Sequence, residues 1–512
     1  MLTLDALLHR TGVLFGDRTA FIEDYRHQSW RQHIDRVSRI AGVLERLGIG
    51  RGDKFAVIGK NSARQAEIFH AAYWRGAAPV PINWRLAAPE IEFILEDAET
   101  SFVFAQQEFV GLAGRREVIV FEGKADDIRA YERLIDAAQP LARAECEPND
   151  IAILLYTGGT TGRAKGVPLS HRNIVSNGLQ LIPVMAPNIN DVYLHLAPMF
   201  HSADLVATPF TMMGGAHCYL GRFSGEDARS AIQRYGITAT MMTPTMVLAF
   251  LEASRNHDAP AHFRHLLYGS SPISVDRIRD VADAFPRLGL QQGYGLTETS
   301  PILTTLDPSD HRIALTGTNS DILRSAGRPL IGVEICIAGN DKRPSSTVDT
   351  GEILVRGPNV LSEYHRRPDE TGQAFRNGWF YTGDVGRLDR NGYLFILDRK
   401  KDMIVTGGEN VYSGEVEAVL ASHPDVREIA IIGIPDSRYG ESLLAVVVLA
   451  AGRTLTTDTL QSYCRDKIGG YKIPRRLAVV DALPRSAMGK VLKHELRKRF
   501  GEAASEPVLL RQ

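Results

Sequence analysis

Short apolar runs alternate with amphipathic stretches from early in this chain, and that alternation limits the folds open to it more than any other feature. Residues 56–59 and 78–82 read as strands on either side of a 62–75 segment with helical spacing. Residues 228–235, 237–242, 245–254 and 266–268 repeat the pattern. Strand, crossover helix and second strand are the unit of parallel sheets, so the chain is predicted to be α/β, with mainly parallel sheets flanked by helices. Near 330–400 the texture changes to short strands with Gly and Asn-Gly turns, such as Asp389-Arg-Asn-Gly392, which predicts hairpins and a small β-rich subdomain at about 325–400. Beyond Asp402 a helix near 413–421, strands at 428–434 and 443–449 and a helix near 456–467 predict a smaller α+β domain. With 512 residues the chain is too long for one core. The boundary is placed at the charged run Arg399-Lys-Lys-Asp402, giving domains 1–400 and 401–512.

Composition excludes several function classes. Lys+Arg number 59 against Asp+Glu 60, so no net charge argues for a nucleic-acid partner, and the basic stretch at 490–499 reads as a solvated helix face. Cys146, Cys218, Cys336 and Cys464 show no metal or redox spacing and read as reduced thiols. The first residues lack a secretory signal, the last lack a peroxisomal address, and no window is long and apolar enough for a membrane span. The expectation is a cytoplasmic enzyme, with a homodimer as a guess.

The stretch Leu154-Leu-Tyr-Thr-Gly-Gly-Thr-Thr-Gly-Arg-Ala-Lys-Gly166 has the make-up of a phosphate cradle following a strand. Gly158, Gly159 and Gly162 let backbone N–H groups converge on an anion, while Thr157, Thr160, Thr161 and Lys165 add donors and charge. It is not a P-loop, because Gly162 is followed by Arg163 and the lysine comes two places late. Taken alone, the stretch is equally a flexible surface loop.

Three further motifs decide between these: Gly293-Tyr-Gly-Leu-Thr-Glu-Thr299, Tyr381-Thr-Gly-Asp384 running on to Asp398-Arg-Lys-Lys-Asp402, and Pro484-Arg-Ser-Ala-Met-Gly-Lys490. In this order, from roughly residue 10 to 500, the chain resembles the AMP-forming acyl-CoA synthetases of the adenylate-forming superfamily. The resemblance implies ATP, Mg²⁺ and coenzyme A as co-substrates and cofactor, and a mobile C-terminal lid hinged at Lys401. It places the β- and γ-phosphates on the loop at 157–165, with Lys165 screening charge, and the α-phosphate on Thr297. Glu298 holds Mg²⁺, a hard ion that takes oxygen ligands. Gly269, Ser270 and Ser271 line the adenine and acyl sites, with Gly293, Tyr294 and Gly295 close to the nucleotide and the Tyr294 ring offered to adenine. Asp384 takes the ribose hydroxyls beside Arg399, and Lys490 stabilises charge developing between carboxylate and α-phosphate. Gly407, Gly408 and Glu409 line the thiol channel. Two departures are visible, Gly158 for a usual serine and Ala164 for a usual proline; the first removes one hydroxyl donor.

Pro198-Met-Phe-His201 selects a branch. Peptide-synthetase adenylation domains usually carry aspartate where His201 stands, whereas acyl- and aryl-CoA synthetases carry histidine beside the substrate carboxylate. By position the acyl pocket runs over 201–206, 241–245, Gly269 and Gly295, with 209–213 as core and Gly214 and Gly215 opening space for a chain. No arginine stands near His201 in sequence, which favours a medium-chain or aromatic monocarboxylate. The alternatives are an acyl-AMP ligase loading a carrier protein, disfavoured because no carrier domain follows residue 512, and a degenerate ATP-binding scaffold, disfavoured by the intact motifs.

Overall fold

The computed structural model describes residues 2–23, 26–157, 164–255, 257, 260–317, 320–339, 344–345, 350–407, 409–465, 467–486 and 490–501. Its first βαβ unit is the predicted one: strand Lys54–Ile58, helix Ala63–Arg75 and strand Ala78–Pro81. Ser62 starts the helix by accepting from the Gln65 N–H, and Gly76 ends it in the left-handed conformation (φ +75°). With Phe102–Gln106 and Glu117–Glu122 these strands make a four-stranded, wholly parallel sheet.

A larger sheet of nine strands carries the site. Six neighbours run parallel in the order Gly289–Tyr294, His265–Gly269, Ala239–Met242, Val192–His195, Ala216–Tyr219 and Thr19–Glu23. Antiparallel strands close both edges. Because the central strands share one direction, His195, Met242, Gly269 and Tyr294 all end at one rim, where open α/β sheets take their ligands. Between the sheets, Ile151–Thr157 and Lys165–Ser170 form an antiparallel hairpin in which Thr157 pairs with Lys165. Thr157 and Lys165 end the two paired strands, and Gly158, Gly159, Thr160, Thr161 and Gly162 lie outside the described residues.

The β-rich part is a six-stranded sheet with antiparallel pairings, and its Trp379–Leu388 and Leu394–Arg399 strands flank the predicted Asp389–Gly392 turn. The smaller C-terminal domain has its own five-stranded sheet. Along Val426–Asp436 and Gly440–Leu449, alternate residues feed two apolar clusters. Ile431 and Val447 pack under helices Ser413–Leu420 and Thr457–Cys464, while Ile432 and Val446 pack under Lys493–Gly501. Both faces are covered, which is why these strands read as continuous apolar runs. None of the four cysteines forms a disulfide, and no helix among the described residues is long and apolar enough to cross a membrane.

Candidate active site

Asp384 and Arg399 face each other across the Trp379–Leu388 and Leu394–Arg399 strands, so their side chains share one face. Arg399 Nε lies 2.6 Å from Asp384 Oδ1. The Tyr294 hydroxyl, at the carboxyl end of its strand, donates to Asp384 Oδ2 at 2.7 Å. Burial and then Asp384 push the Tyr294 phenol upward, so it remains a donor. Burial opposes the Arg399 charge, but Asp384, Tyr294, Glu298 and Asp402 outweigh it and raise the group. One lone pair on each Asp384 oxygen is thus already taken, so the carboxylate meets a ligand with its remaining lone pairs. The link from Tyr294 to Asp384 was not foreseen.

Glu298 stands beside this cluster. Tyr364 donates its hydroxyl to Glu298 Oε1 at 3.0 Å, and the Lys165 ammonium lies 5.5 Å from the Tyr364 ring centre. Tyr364 therefore ties the predicted metal carboxylate to the predicted phosphate lysine. Among the described residues no three histidine, cysteine or acidic side chains converge on a metal position. A single carboxylate suits an ion whose other ligands are water and substrate phosphates, as is usual for Mg²⁺. Thr297 opens the short helix Thr297–Thr299 and bonds the Ser202 hydroxyl at 3.2 Å.

Lys490 closes a reversal in which Ser486 N–H donates to the Lys490 carbonyl at 2.8 Å. Its ammonium is lowered to about 8, by desolvation first and then by repulsion from Arg399 and Lys401, while Asp384 and Asp402 pull it back. Lys490 is exposed by surface area, so water tempers the desolvation and the two neighbouring cations are the firmer cause. These partners place Lys490, from the C-terminal domain, in the field of the Asp384–Arg399 pair. The charged junction divides its contacts. Lys400 reaches Glu352 on the β-rich sheet at 2.7 Å, and Asp402 holds Arg497 of the last helix at 2.8 Å. Lys401 between them is exposed, with no ion-pair partner among the described residues.

Gly407 and Glu409 lie on a C-terminal hairpin, Gly407 (φ +60°) donating its N–H to the Tyr439 carbonyl at 2.8 Å. None of their hydrogen bonds reaches the Asp384 cluster, and Gly408 is outside the described residues. Gly269 and Gly295 are demanded by the chain itself: a Cβ would fall 2.3 Å from the Gly293 carbonyl oxygen and 1.9 Å from that of Pro301. Ser270 (φ +72°) and Ser271 follow at the same rim.

On the acid side, His201 is largely buried, and its Nε2 has no partner among the described residues. Burial, and then the Arg85 charge, lower its imidazole to about 4, so it acts as a neutral group. Arg85 corrects the sequence reading that no arginine stands beside His201. Its guanidinium lies 4.8 Å from the Trp84 ring centre and 5.9 Å from that of Phe200, brought there from a distant part of the chain. Gly214 and Gly215 do not open space. The Gly214 Cβ position falls 2.3 Å from Phe15 Cγ, and that of Gly215 3.1 Å from the Asp191 carbonyl oxygen. Phe210 and Met212 are core, as expected.

Three asparagines support the Thr297 loop and were missed. Asn177 Nδ2 donates to the Ile302 carbonyl at 2.7 Å, Asn359 Nδ2 to that of Thr299 at 2.8 Å, and Asn173 holds the Asn359 segment through the Pro358 and Val360 carbonyls, each at 2.9 Å. Asn173 and Asn177 stand four apart on helix His171–Met185, so one face of an otherwise apolar helix carried a readable signal.

The rim of the parallel strands thus brings together a carboxylate–guanidinium pair, a second carboxylate and the field of a lysine from the C-terminal domain. The chain belongs to the AMP-binding enzyme family, whose model matches residues 8–365, with the AMP-binding enzyme C-terminal domain at 415–490. It is an AMP-forming acid–thiol ligase of the acyl-CoA synthetase kind. It is 35% identical over 473 residues to a feruloyl-CoA synthase of an Amycolatopsis species, covering 91% of this chain and 92% of that one. It is 34% identical to a long-chain-fatty-acid–CoA ligase of Mycobacterium tuberculosis, covering 90% and 91%. The o-succinylbenzoate-CoA synthetase of Bacillus subtilis, solved with its acyl-adenylate intermediate, superimposes with a TM-score of 0.85 at 30% identity, covering 96% and 97%. The same enzyme has been solved with ATP and a magnesium ion.

Proposed function

We propose that this chain joins a medium-chain or aromatic carboxylic acid to coenzyme A in two half-reactions at the Asp384–Arg399–Lys490 cluster. The acid's carboxylate attacks the α-phosphate of ATP, giving acyl-AMP and pyrophosphate. The coenzyme A thiol then attacks the acyl carbonyl, giving the thioester and AMP. The observation that carries this reading is Lys490 held in the field of Asp384 and Arg399. Lowered to about 8, it is still chiefly an ammonium at neutral pH, and it offsets the repulsion of the two approaching anions.

Thr297 takes the α-phosphate, and Thr157, Thr160, Thr161 and Lys165, with the backbone of Gly158, Gly159 and Gly162, take the β- and γ-phosphates. Asp384 accepts from the ribose hydroxyls, Gly269 to Ser271 and the Tyr294 ring border adenine, and neutral His201 stands beside the carboxylate. Mg²⁺, held by Glu298, supplies the charge that makes pyrophosphate a better leaving group. Rotation about Lys401 then removes Lys490 and brings Gly407, Gly408 and Glu409 to the acyl-adenylate. The split of ion pairs on either side of Lys401 supports that pivot. Arg85 removes the sequence argument against acids with a second carboxylate, and the relatives span feruloyl, succinylbenzoyl and long-chain fatty acids.

The test is pyrophosphate release from ATP and Mg²⁺ against aliphatic, aromatic and dicarboxylic acids, with and without coenzyme A. Release that depends on one acid class and ends in a CoA thioester supports the reading. Release with no CoA thioester overturns coenzyme A as acceptor, and no release with any acid overturns ligase activity.

A further inference from the structure

A cavity of about 60 Å³ lies behind His201, between helices Leu4–Leu14 and Ala63–Arg75 and strands Val192–His195 and Ala216–Tyr219. On a scale where one water needs roughly 15 Å³, it takes about four waters or the last few heavy atoms of a ligand. One wall is apolar, with Leu8, Phe69 and Ile153; the other carries Asp204, His70, Tyr73 and Tyr219. This is not a metal site, since no three ligating side chains converge among the described residues.

A hydrogen-bonded chain crosses the polar wall from Asp204. Its Oδ1 accepts from His195 Nδ1 at 2.5 Å. His195 Nε2 and His217 Nδ1 share a hydrogen bond at 2.9 Å, and His217 Nε2 and the Thr211 hydroxyl share another at 3.1 Å. Burial first, then His195 and His70, keep His217 neutral. Asp204 Oδ1 is thus occupied, and Asp204 Oδ2 has no hydrogen-bond partner among the described residues. Tyr73 and Tyr219 are raised by burial and then by Asp204, so they stay protonated in its field without bonding it.

We infer that this cavity receives the far end of the acid and selects a tail ending in a hydrogen-bond donor, above all a hydroxyl, over a hydrocarbon, ether or second-carboxylate end. The inference rests on the acid-activating reading of the site and names the substrate class within it. Continuity supports it: His201 lines the cavity, and the next residue, Ser202, bonds Thr297 at 3.2 Å. Chemistry supports it as well. A hydroxyl donates to Asp204 Oδ2 and accepts from a tyrosine, whereas a hydrocarbon leaves a desolvated carboxylate unpaired and an ether or carboxylate sets acceptor against acceptor. The volume also leaves no room for a long chain.

The test uses acids of one skeleton whose far end carries hydroxyl, hydrogen, methoxy or carboxylate, scored by kcat/KM for pyrophosphate release. Non-reactive acyl-sulfamoyl adenosines with the same ends are scored by calorimetric binding. The hydroxyl end is expected to lead by about tenfold or more in both. In Asp204→Asn the amide oxygen takes the His195 proton and the amide N–H turns to the cavity, so methoxy overtakes hydroxyl. Tyr219→Phe keeps the stack on His195, with ring centres 4.2 Å apart, and lowers the hydroxyl preference a few fold. Equal treatment of all ends by the unmodified protein, or an unchanged order in Asp204→Asn, overturns the inference and leaves a cavity for water alone. If the adenosines bind with a hydroxyl preference but no acid releases pyrophosphate, ligase activity falls and the tail assignment stands. If none binds, both fall.

Discussion

At the nucleotide end of the site, Tyr294, Glu298, Asp384, Arg399 and Lys490 arrive on short motifs, each within a few residues of a glycine or a strand end. At the acid end, the wall of the cavity draws on His70, Asp204, His217 and Tyr219, from three separate elements of the chain. In the proposed reading the first end handles phosphate and ribose, which do not vary, and its charges are set by local geometry such as the Asp384–Arg399 register. In the same reading the second meets the variable part of the substrate, and its polarity is set by which side chains the fold packs together. Shared chemistry is written locally, and selectivity is written in long-range packing.

Lys490→Ala separates the two ends most strongly. Adenylate formation is expected to drop by about 10²–10³-fold, while thioester formation from supplied acyl-AMP survives. Equal loss in both half-reactions, measured by rapid quench, would break the assignment of Lys490 to the first. Lys401→Pro should do the reverse, slowing the thioester step by about tenfold or more through a fixed φ while adenylation stays near normal. Raising the pH tests the charge on Lys490 directly. Since the ammonium is the active form and is lowered to about 8, adenylation should fall about tenfold between pH 7 and 9. Lys490→Arg, slower but charged throughout, should lack that alkaline limb. Tyr294→Phe should have the smallest effect, raising the KM for ATP about fivefold by freeing Asp384 Oδ2, with the KM for the acid unchanged. A matching rise for the acid would show that the two ends are coupled.

The legible parts of the fold were those with a local cause. Apolar alternation placed the 54–81 unit, and Asn391-Gly392 placed the hairpin joining the strands of Asp384 and Arg399. In the site, the motif residues that lie within the described part of the chain and gather around Asp384 were all named from sequence. Tyr364 was not, because a lone tyrosine in a polar loop carries no pattern until Glu298 lies 3.0 Å from it. Arg85 was missed for the same reason, and Gly214 was misread because nothing in its neighbourhood predicts Phe15 above it. Asn173 and Asn177 were within reach, since polar residues four apart on one helical face needed only to be noticed.

The strand Thr19–Glu23 pairs in parallel with Ala216–Tyr219, Phe21 lying opposite His217. Nearly two hundred residues must leave the ribosome before its partner exists, about 10–40 seconds at usual rates of synthesis. During that time it has only the short antiparallel strand Arg26–Ser29 to pair with. The order of synthesis therefore leaves this edge of the central sheet as a lone hairpin until its parallel neighbour is made, a stretch in need of a chaperone's shelter while the chain grows.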